Sequence, residues 1–339
     1  MKSNIKALVA AAGFTALAFS PANAYEGGYP GWATKPGAFI GASAGVPPPG
    51  IYMFNQLFTY QSNLAGPLTN AIGTHTGVQA AVDVQGFLFV PGWTFLGATY
   101  DAVIVQPFIM ASIGGPLNLS PGFPSQIAGA HNTYFVPVEL SWKLGTSGFV
   151  VKTGLGIYAP DGTVQGANGL FNVGNPWWTF QPELILSYLG GGWNLSAALY
   201  EEFNTRNTVD DYKTGDIFHA DFTFTKTIGK WTLGPVAYYV GQVSNDSCST
   251  LRCLGITGGT NANAQRFNLF AVGGLVEYNF GPASLSVWAT QEVVANAKNS
   301  AVPPALDPST ITRGATVFAT LSYRLWAPDE PAKTPMIHK

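Results

Sequence analysis

From Ile51 onward the chain alternates apolar and polar positions with a period of two, the pattern of strands that present two different faces. Between 132 and 144, Tyr134, Val136, Val138, Leu140 and Trp142 share one face, while Glu139, Ser141 and Lys143 share the other. Between 177 and 189, Trp178, Phe180, Leu184, Leu186 and Tyr188 oppose Thr179, Gln181, Glu183 and Ser187. Between 215 and 228, Phe218, Ala220, Phe222 and Phe224 oppose His219, Asp221, Thr223 and Thr225. Val317, Ala319, Leu321, Tyr323 and Leu325 oppose Thr316, Thr320, Ser322 and Arg324 near the end of the chain. Twelve strands are predicted, over 51–61, 78–90, 94–111, 132–144, 149–159, 177–189, 193–205, 215–228, 231–244, 265–280, 283–295 and 312–326. The first, third and ninth have no clear face. In every strong case charge avoids the apolar face, and about five apolar side chains in a row match a lipid-facing band of roughly 25 Å.

The connections between these segments alternate in length. Tight turns read Pro91-Gly92-Trp93, Gly145-Thr146-Ser147-Gly148, Gly190-Gly191-Gly192, Gly229-Lys230 and Gly281-Pro282; between them lie long polar stretches near 62–77, 112–131, 160–176, 206–214, 245–264 and 296–311. Short turns on one side and long loops on the other predict an all-β fold: a single transmembrane antiparallel β-barrel, with its turns in the periplasm and its loops outside. An even strand number returns the barrel's last strand to the side of its first, and closure leaves no unpaired edge in lipid. Aromatic residues near strand ends (Tyr52, Phe54, Phe58, Tyr60, Trp93, Trp142, Trp177, Trp178, Trp193, Trp231, Tyr278, Phe280 and Trp326) fit the girdles found at membrane interfaces.

Composition narrows the setting. Lys2 and Lys6, the apolar run Ala7 to Phe19 and the small residues Ala22-Asn23-Ala24 read as a cleaved export signal over 1–24. Without it the chain keeps 14 Lys and Arg against 18 Asp and Glu, too thinly charged for nucleic-acid binding. Residues 25–49 form a Gly/Pro-rich segment ending in Pro47-Pro48-Pro49-Gly50, read either as a periplasmic leader or as a plug of the lumen. The barrel itself is placed at 50–326, and the proline-containing stretch 327–339 is read as a disordered periplasmic tail. The expected surroundings are the lipid bilayer of the outer membrane and a small hydrophobic solute, with a monomeric barrel.

Candidate chemistry is sparse. Cys248 and Cys253, spaced C-S-T-L-R-C in an exported chain, predict a local disulfide that stiffens a loop. Of the four histidines only His219, with Asp221 two residues on, falls on a predicted lumen face; two ligands do not make a metal site, and a polar wall pair is the reading. A barrel lipase would need a Ser–His pair with an orienting group on the outer wall, and no such set shows on one face. No phosphate loop or dinucleotide fingerprint appears, so no enzyme activity, cofactor or metal is expected. The lumen set is Asp83, Glu139, Glu183, Glu202, His219, Asp221, Glu277 and Glu292 with Lys143, Lys152 and Arg324, since charge is tolerated in a wet lumen and costly against lipid.

Several runs occur together and in order: P-P-P-G-I-Y-M-F-N-Q-L-F-T-Y at 47–60, W-W-T-F-Q-P-E-L-I-L-S-Y-L at 177–189, W-N-L-S-A-A-L-Y-E-E-F-N-T-R-N at 193–207, D-Y-K-T-G-D-I-F-H-A-D-F-T-F-T-K at 211–226 and L-S-Y-R-L-W at 321–326. On these runs the chain resembles the SphA-like outer-membrane proteins described as transporters of the meta-pathway of phenol degradation. The resemblance covers about 47–326. It implies a Gram-negative outer-membrane barrel associated with uptake of aromatic or other hydrophobic compounds. The chain departs from outer-membrane barrels that end on a terminal aromatic residue, because residues 327–339 follow Trp326. The expected function is passive entry of small, hydrophobic or aromatic compounds. The alternative is a closed, surface-exposed barrel acting as a protein-binding or assembly scaffold.

Overall fold

A computed structural model describes residues 29–30, 32–67, 77–113, 126–165, 172–256, 265–299, 307 and 309–328. The expected signal segment, 1–24, and residues 329–339 of the expected tail lie outside the described residues. In chain order the elements are β1 (Gly50–Ala65), β2 (Gly77–Val90), β3 (Thr94–Phe95), β4 (Ala98–Ile113), β5 (Gln126–Ala130), β6 (Tyr134–Lys143), β7 (Phe149–Tyr158), β8 (Thr179–Gly190), β9 (Trp193–Asn204), β10 (Ile217–Ile228), β11 (Trp231–Gln242), the short helix α1 (Leu251–Ile256), β12 (Gln265–Asn279), β13 (Ala283–Asn299) and β14 (Ile311–Trp326). Apart from the two-residue β3 and the five-residue β5, twelve long strands make the wall. Each pairs antiparallel with its neighbours, and β1 pairs with β14 from Ile51↔Trp326 to Ala65↔Ile311, closing the cylinder. The predicted twelve-stranded barrel is the observed one.

Glycine makes the tight turns possible where the backbone enters the left-handed region. Gly191 and Gly192, with φ of 56° and 80°, form a two-residue link between β8 and β9 of the kind that follows the twist of a hairpin. The third predicted strand is broken by the same device: Leu96 and Gly97 (φ 50° and 79°) fold β3 back on the start of β4. Part of the predicted loop 112–131 is instead β5, which pairs with the upper half of β4, while β6 pairs with the lower half. Cys248 and Cys253 are joined by a disulfide, with Cα atoms 5.5 Å apart.

The faces follow expectation on β8, where Phe180, Leu184 and Leu186 are exposed outside and Thr179, Gln181, Glu183 and Ser187 are buried inside. On β6 they do not. Tyr134 and Val136, predicted to face lipid, are buried in the interior at 3% and 1% exposure. The register shifts between Phe135 and Glu139, around Pro137, which has no N–H to give the ladder. Beyond that bulge the alternation resumes one residue out of step, so Tyr134, Val136, Glu139 and Ser141 all point inward.

A second correction concerns the aromatics of β1. Phe54, Phe58 and Tyr60 belong to no membrane girdle: Phe58 and Tyr60 are buried, and Phe54 packs beside them against the internal cluster. Phe58 meets Phe318 at 4.9 Å, which stacks on Trp288 at 4.8 Å. Trp177 is likewise buried. Trp93, Trp193, Trp231, Phe280 and Trp326 remain exposed at the short-turn end, where a girdle belongs.

Candidate functional site

The lumen is where wall and N-terminal segment meet. Residues 32–49 run inside the barrel from the loop end to the turn end, and backbone groups along the segment meet side chains of the wall. Tyr29 packs edge-on against Trp177, just ahead of β8, at 5.3 Å. The N–H groups of Ala33 and Thr34 donate to the two oxygens of Glu202 at 2.9 and 2.8 Å. Those of Gly37 and Phe39 donate to the two oxygens of Asp221, each at 3.1 Å. Gly41 donates to Thr223 at 2.9 Å, Ala44 donates to Ser187 at 2.8 Å, and Ser141 donates to the Ala44 carbonyl. Trp288 donates its indole N–H to the Gly37 carbonyl at 3.1 Å. An irregular segment can lie in a buried space only if its backbone polar groups find such partners. Gly37 fits because it has φ of +84° and because a Cβ there would lie 2.7 Å from Cδ1 of Tyr238.

The charged lumen residues fall into three groups. Lys152 bridges Asp101 at 3.0 Å and Glu139 at 3.2 Å, with buried Glu183 beside them. Asp101 was not singled out from the sequence because the third strand showed no face; it is nonetheless that strand's one charged residue, and the rule that charge turns inward would have found it. The second group pairs His219 with Glu202 at 3.1 Å, stacks the imidazole on Tyr200 at 5.1 Å, and places Asp221 one turn of alternation along β10. The third holds Glu292, which accepts from Tyr60 at 2.8 Å, Tyr238 at 2.9 Å and the Gly314 N–H at 2.6 Å. Lys35 of the segment stands 3.6 Å from Glu292. His131, at the mouth between β5 and β6, is held below the ordinary histidine value by burial, its ring bonded to the carbonyls of Val173 and Ala33.

The remaining predicted lumen residues stand apart from these groups. Glu277 shares the inward face of Leu275 and accepts from Ser286, while Lys143 and Arg324 are exposed at the turn end, Arg324 donating to the Pro49 carbonyl. Asp83 is a correction. It pairs directly with Leu57 and Phe108, which are 53% and 45% exposed on the outer wall, while its neighbours Val82 and Val84 are buried in the internal cluster. Directly paired residues share a face, so Asp83 points outward, accepting from Asn55 at 2.9 Å. The cause is the interior itself, where Phe58, Val82, Val84 and Val105 pack against Trp32 and Ile40 of the segment. Aliphatic and aromatic side chains therefore line much of this lumen, in contrast to the polar interior usual for such barrels.

Comparison with known proteins adds the family. A family model described as "Putative MetA-pathway of phenol degradation" matches residues 62–301. No curated protein matches the chain. Among solved structures, the COG4313 outer membrane channel from Pseudomonas putida F1 is similar over 86% of this chain and 99% of that one, at 12% identity and a TM-score of 0.64, which is a likeness of fold. The translocator domain of the autotransporter NalP from Neisseria meningitidis (10% identity, 82% of this chain and 90% of that one, TM-score 0.46) is more distant. The Pseudomonas putida toluene transporter TodX (10% identity, 89% and 97%, TM-score 0.36) is more distant still.

Proposed function

This chain belongs to the family of the MetA pathway of phenol degradation and is an outer-membrane β-barrel, and from that premise we propose that it is a channel for passive entry of small hydrophobic or aromatic compounds, held closed by its N-terminal segment. The observation that carries this reading is the apolar inner wall. Phe58, Val84, Val105, Tyr134, Val136 and Trp288 turn inward in a place where a general porin would present polar groups to water. A solute such as a substituted benzene gains from leaving water for such a surface, at roughly 25 cal/mol per Å² of apolar area removed from water. No energy source is encoded in the chain, so flux follows the gradient. The Gly/Ala-rich segment 32–49 is the gate in this reading: it fills the passage, held by hydrogen bonds to the wall and by the packing of Trp32, Phe39 and Ile40 rather than by pairing as a strand.

Planar-bilayer conductance and liposome uptake of a monoaromatic solute, compared between the full chain and a deletion of residues 25–48, test the reading. The full chain should conduct little and the deletion should admit the solute. Absence of both conductance and solute flux in a folded deletion variant overturns it. The filled lumen also suits a closed surface scaffold. Protein binding that is lost on replacing residues 245–264, with no flux in either form, would favour that second reading.

A further inference from the structure

The wall around Glu292 is shaped to hold a cation. Glu292 is 1% exposed and is fixed from three sides by Tyr60, Tyr238 and the Gly314 N–H, so its position does not depend on the lysine in front of it. The Lys35 ammonium sits 3.9 Å from the centroid of the Tyr60 ring, 5.6 Å from Trp32 and 5.9 Å from Tyr238. Its nitrogen pairs with Glu292 at 3.6 Å, an ion-pair distance. The ammonium is held by that charge and by the aromatic faces around it. That is the mode by which aromatic cages recognise ammonium ligands, including those without any N–H.

We propose that Tyr60, Tyr238 and Glu292 form a lumen subsite for small organic ammonium groups, and that Lys35 occupies it as a tethered ligand. Two of its walls belong to strands far apart in the barrel, β1 and β11, and the carboxylate comes from β13, so the subsite is a property of the closed wall. Only Lys35 and Trp32 are contributed by the segment. Movement of the segment leaves a negatively charged, ring-lined recess on the path through the lumen. The inference goes beyond hydrophobic entry, because binding at this recess does not require flux.

Chemical complementation tests it on the full-length chain in detergent. Lys35→Ala removes the resident ammonium and three methylenes of its stem, and n-butylammonium returns them untethered with one further carbon. Isothermal titration should show n-butylammonium binding to Lys35→Ala at least tenfold more tightly than to the unaltered chain, with tetramethylammonium also bound and n-butanol not. Adding Tyr60→Leu or Glu292→Gln to Lys35→Ala should each weaken that binding tenfold or more. Heat-modifiable mobility on electrophoresis verifies that each variant is a folded barrel, and Tyr60→Leu serves if Glu292→Gln does not fold. Equal binding of n-butylammonium by Lys35→Ala and the unaltered chain, equal binding of n-butanol, or binding indifferent to both secondary substitutions overturns the proposal.

Discussion

On the proposed reading, replacing Glu202 and Asp221 by alanine should open the barrel without removing any residue of the segment that fills it. Each carboxylate accepts two backbone N–H groups from the segment, at 2.8 to 3.1 Å. Hydrogen bonds to a charged group contribute about 1.5–3 kcal/mol each, so one truncation removes about 3–6 kcal/mol of hold. Water entering the lumen recovers part of this, and the lower end of the range is the safer figure. At about 1.4 kcal/mol per factor of ten, 3 kcal/mol raises the ratio of open to closed barrels roughly a hundredfold for each carboxylate. Glu202→Gln should fall between, since it keeps one acceptor oxygen and offers a donor where the other N–H arrives. Single-channel recording in planar bilayers reads the open fraction directly. The expected order is unaltered chain, Glu202→Gln, Glu202→Ala, then the double alanine variant, still below the deletion of 25–48 because Trp32, Phe39 and Ile40 keep their apolar packing. A double variant whose open fraction stays within threefold of the unaltered chain, while the deletion conducts freely, would refute the assignment of these two groups as the hold.

Other consequences are independent of gating. Lys152→Met leaves Asp101 and Glu139 buried without their shared cation, and should cost about 3–5 kcal/mol in urea unfolding from liposomes; a loss under about 1 kcal/mol would mean the triad is solvated and of little structural weight. Asp83→Leu should stabilise the barrel in the same assay by about 1–2 kcal/mol, because Asp83 lies six residues from Phe89 on the outer wall, about 15 Å up a tilted strand and near the middle of a band of roughly 25 Å. Destabilisation on that change would show that the Asp83–Asn55 pair meets something other than lipid. Asp246, in the loop after β11, accepts from Tyr212, Gly215 and Gln242, and burial pushes its carboxyl up to about 7. A raised folded value stabilises the closed loop below the free carboxyl's value near 4, and that contribution is lost as pH rises to 7. Hydrogen exchange at 212–216, corrected for its intrinsic pH dependence, should therefore quicken from pH 4 to 7, and Asp246→Asn should flatten the trend.

Period-two alternation locates strands and gives each two faces, but does not say which face meets the membrane. The strand positions were legible because glycine turns and polar loops bracket each apolar run, and twelve runs with two classes of connection leave few ways to close. On β8 and β10 the choice of side was legible too, since acids and amides crowd one face. It failed elsewhere for two reasons. One extra residue at Pro137 turns Tyr134 and Val136 inward at the start of β6, while Glu139 and Ser141 beyond it stay inward as expected, and no local pattern reveals a bulge before the partner strands are known. On β1 and β2 the difficulty is deeper. Lipid lies on one side of these strands and an interior packed with Trp32 and Ile40 on the other, so both media are apolar and hydrophobicity cannot choose between them. Shape decides instead. Phe58, Phe318 and Trp288 stack into one aromatic run across β1, β14 and β13, and Val82 and Val84 of β2 turn inward to the same cluster. Asn55, Asp83 and Gln85 are then left on the membrane side, where Asn55 and Asp83 pair with each other. The segment responsible for this has no periodicity, because it is irregular and much of its polar hold runs through backbone N–H groups that every residue except proline possesses. Those partners could not be read from its side chains, and the side taken by Asp83 could not be read without the segment in place.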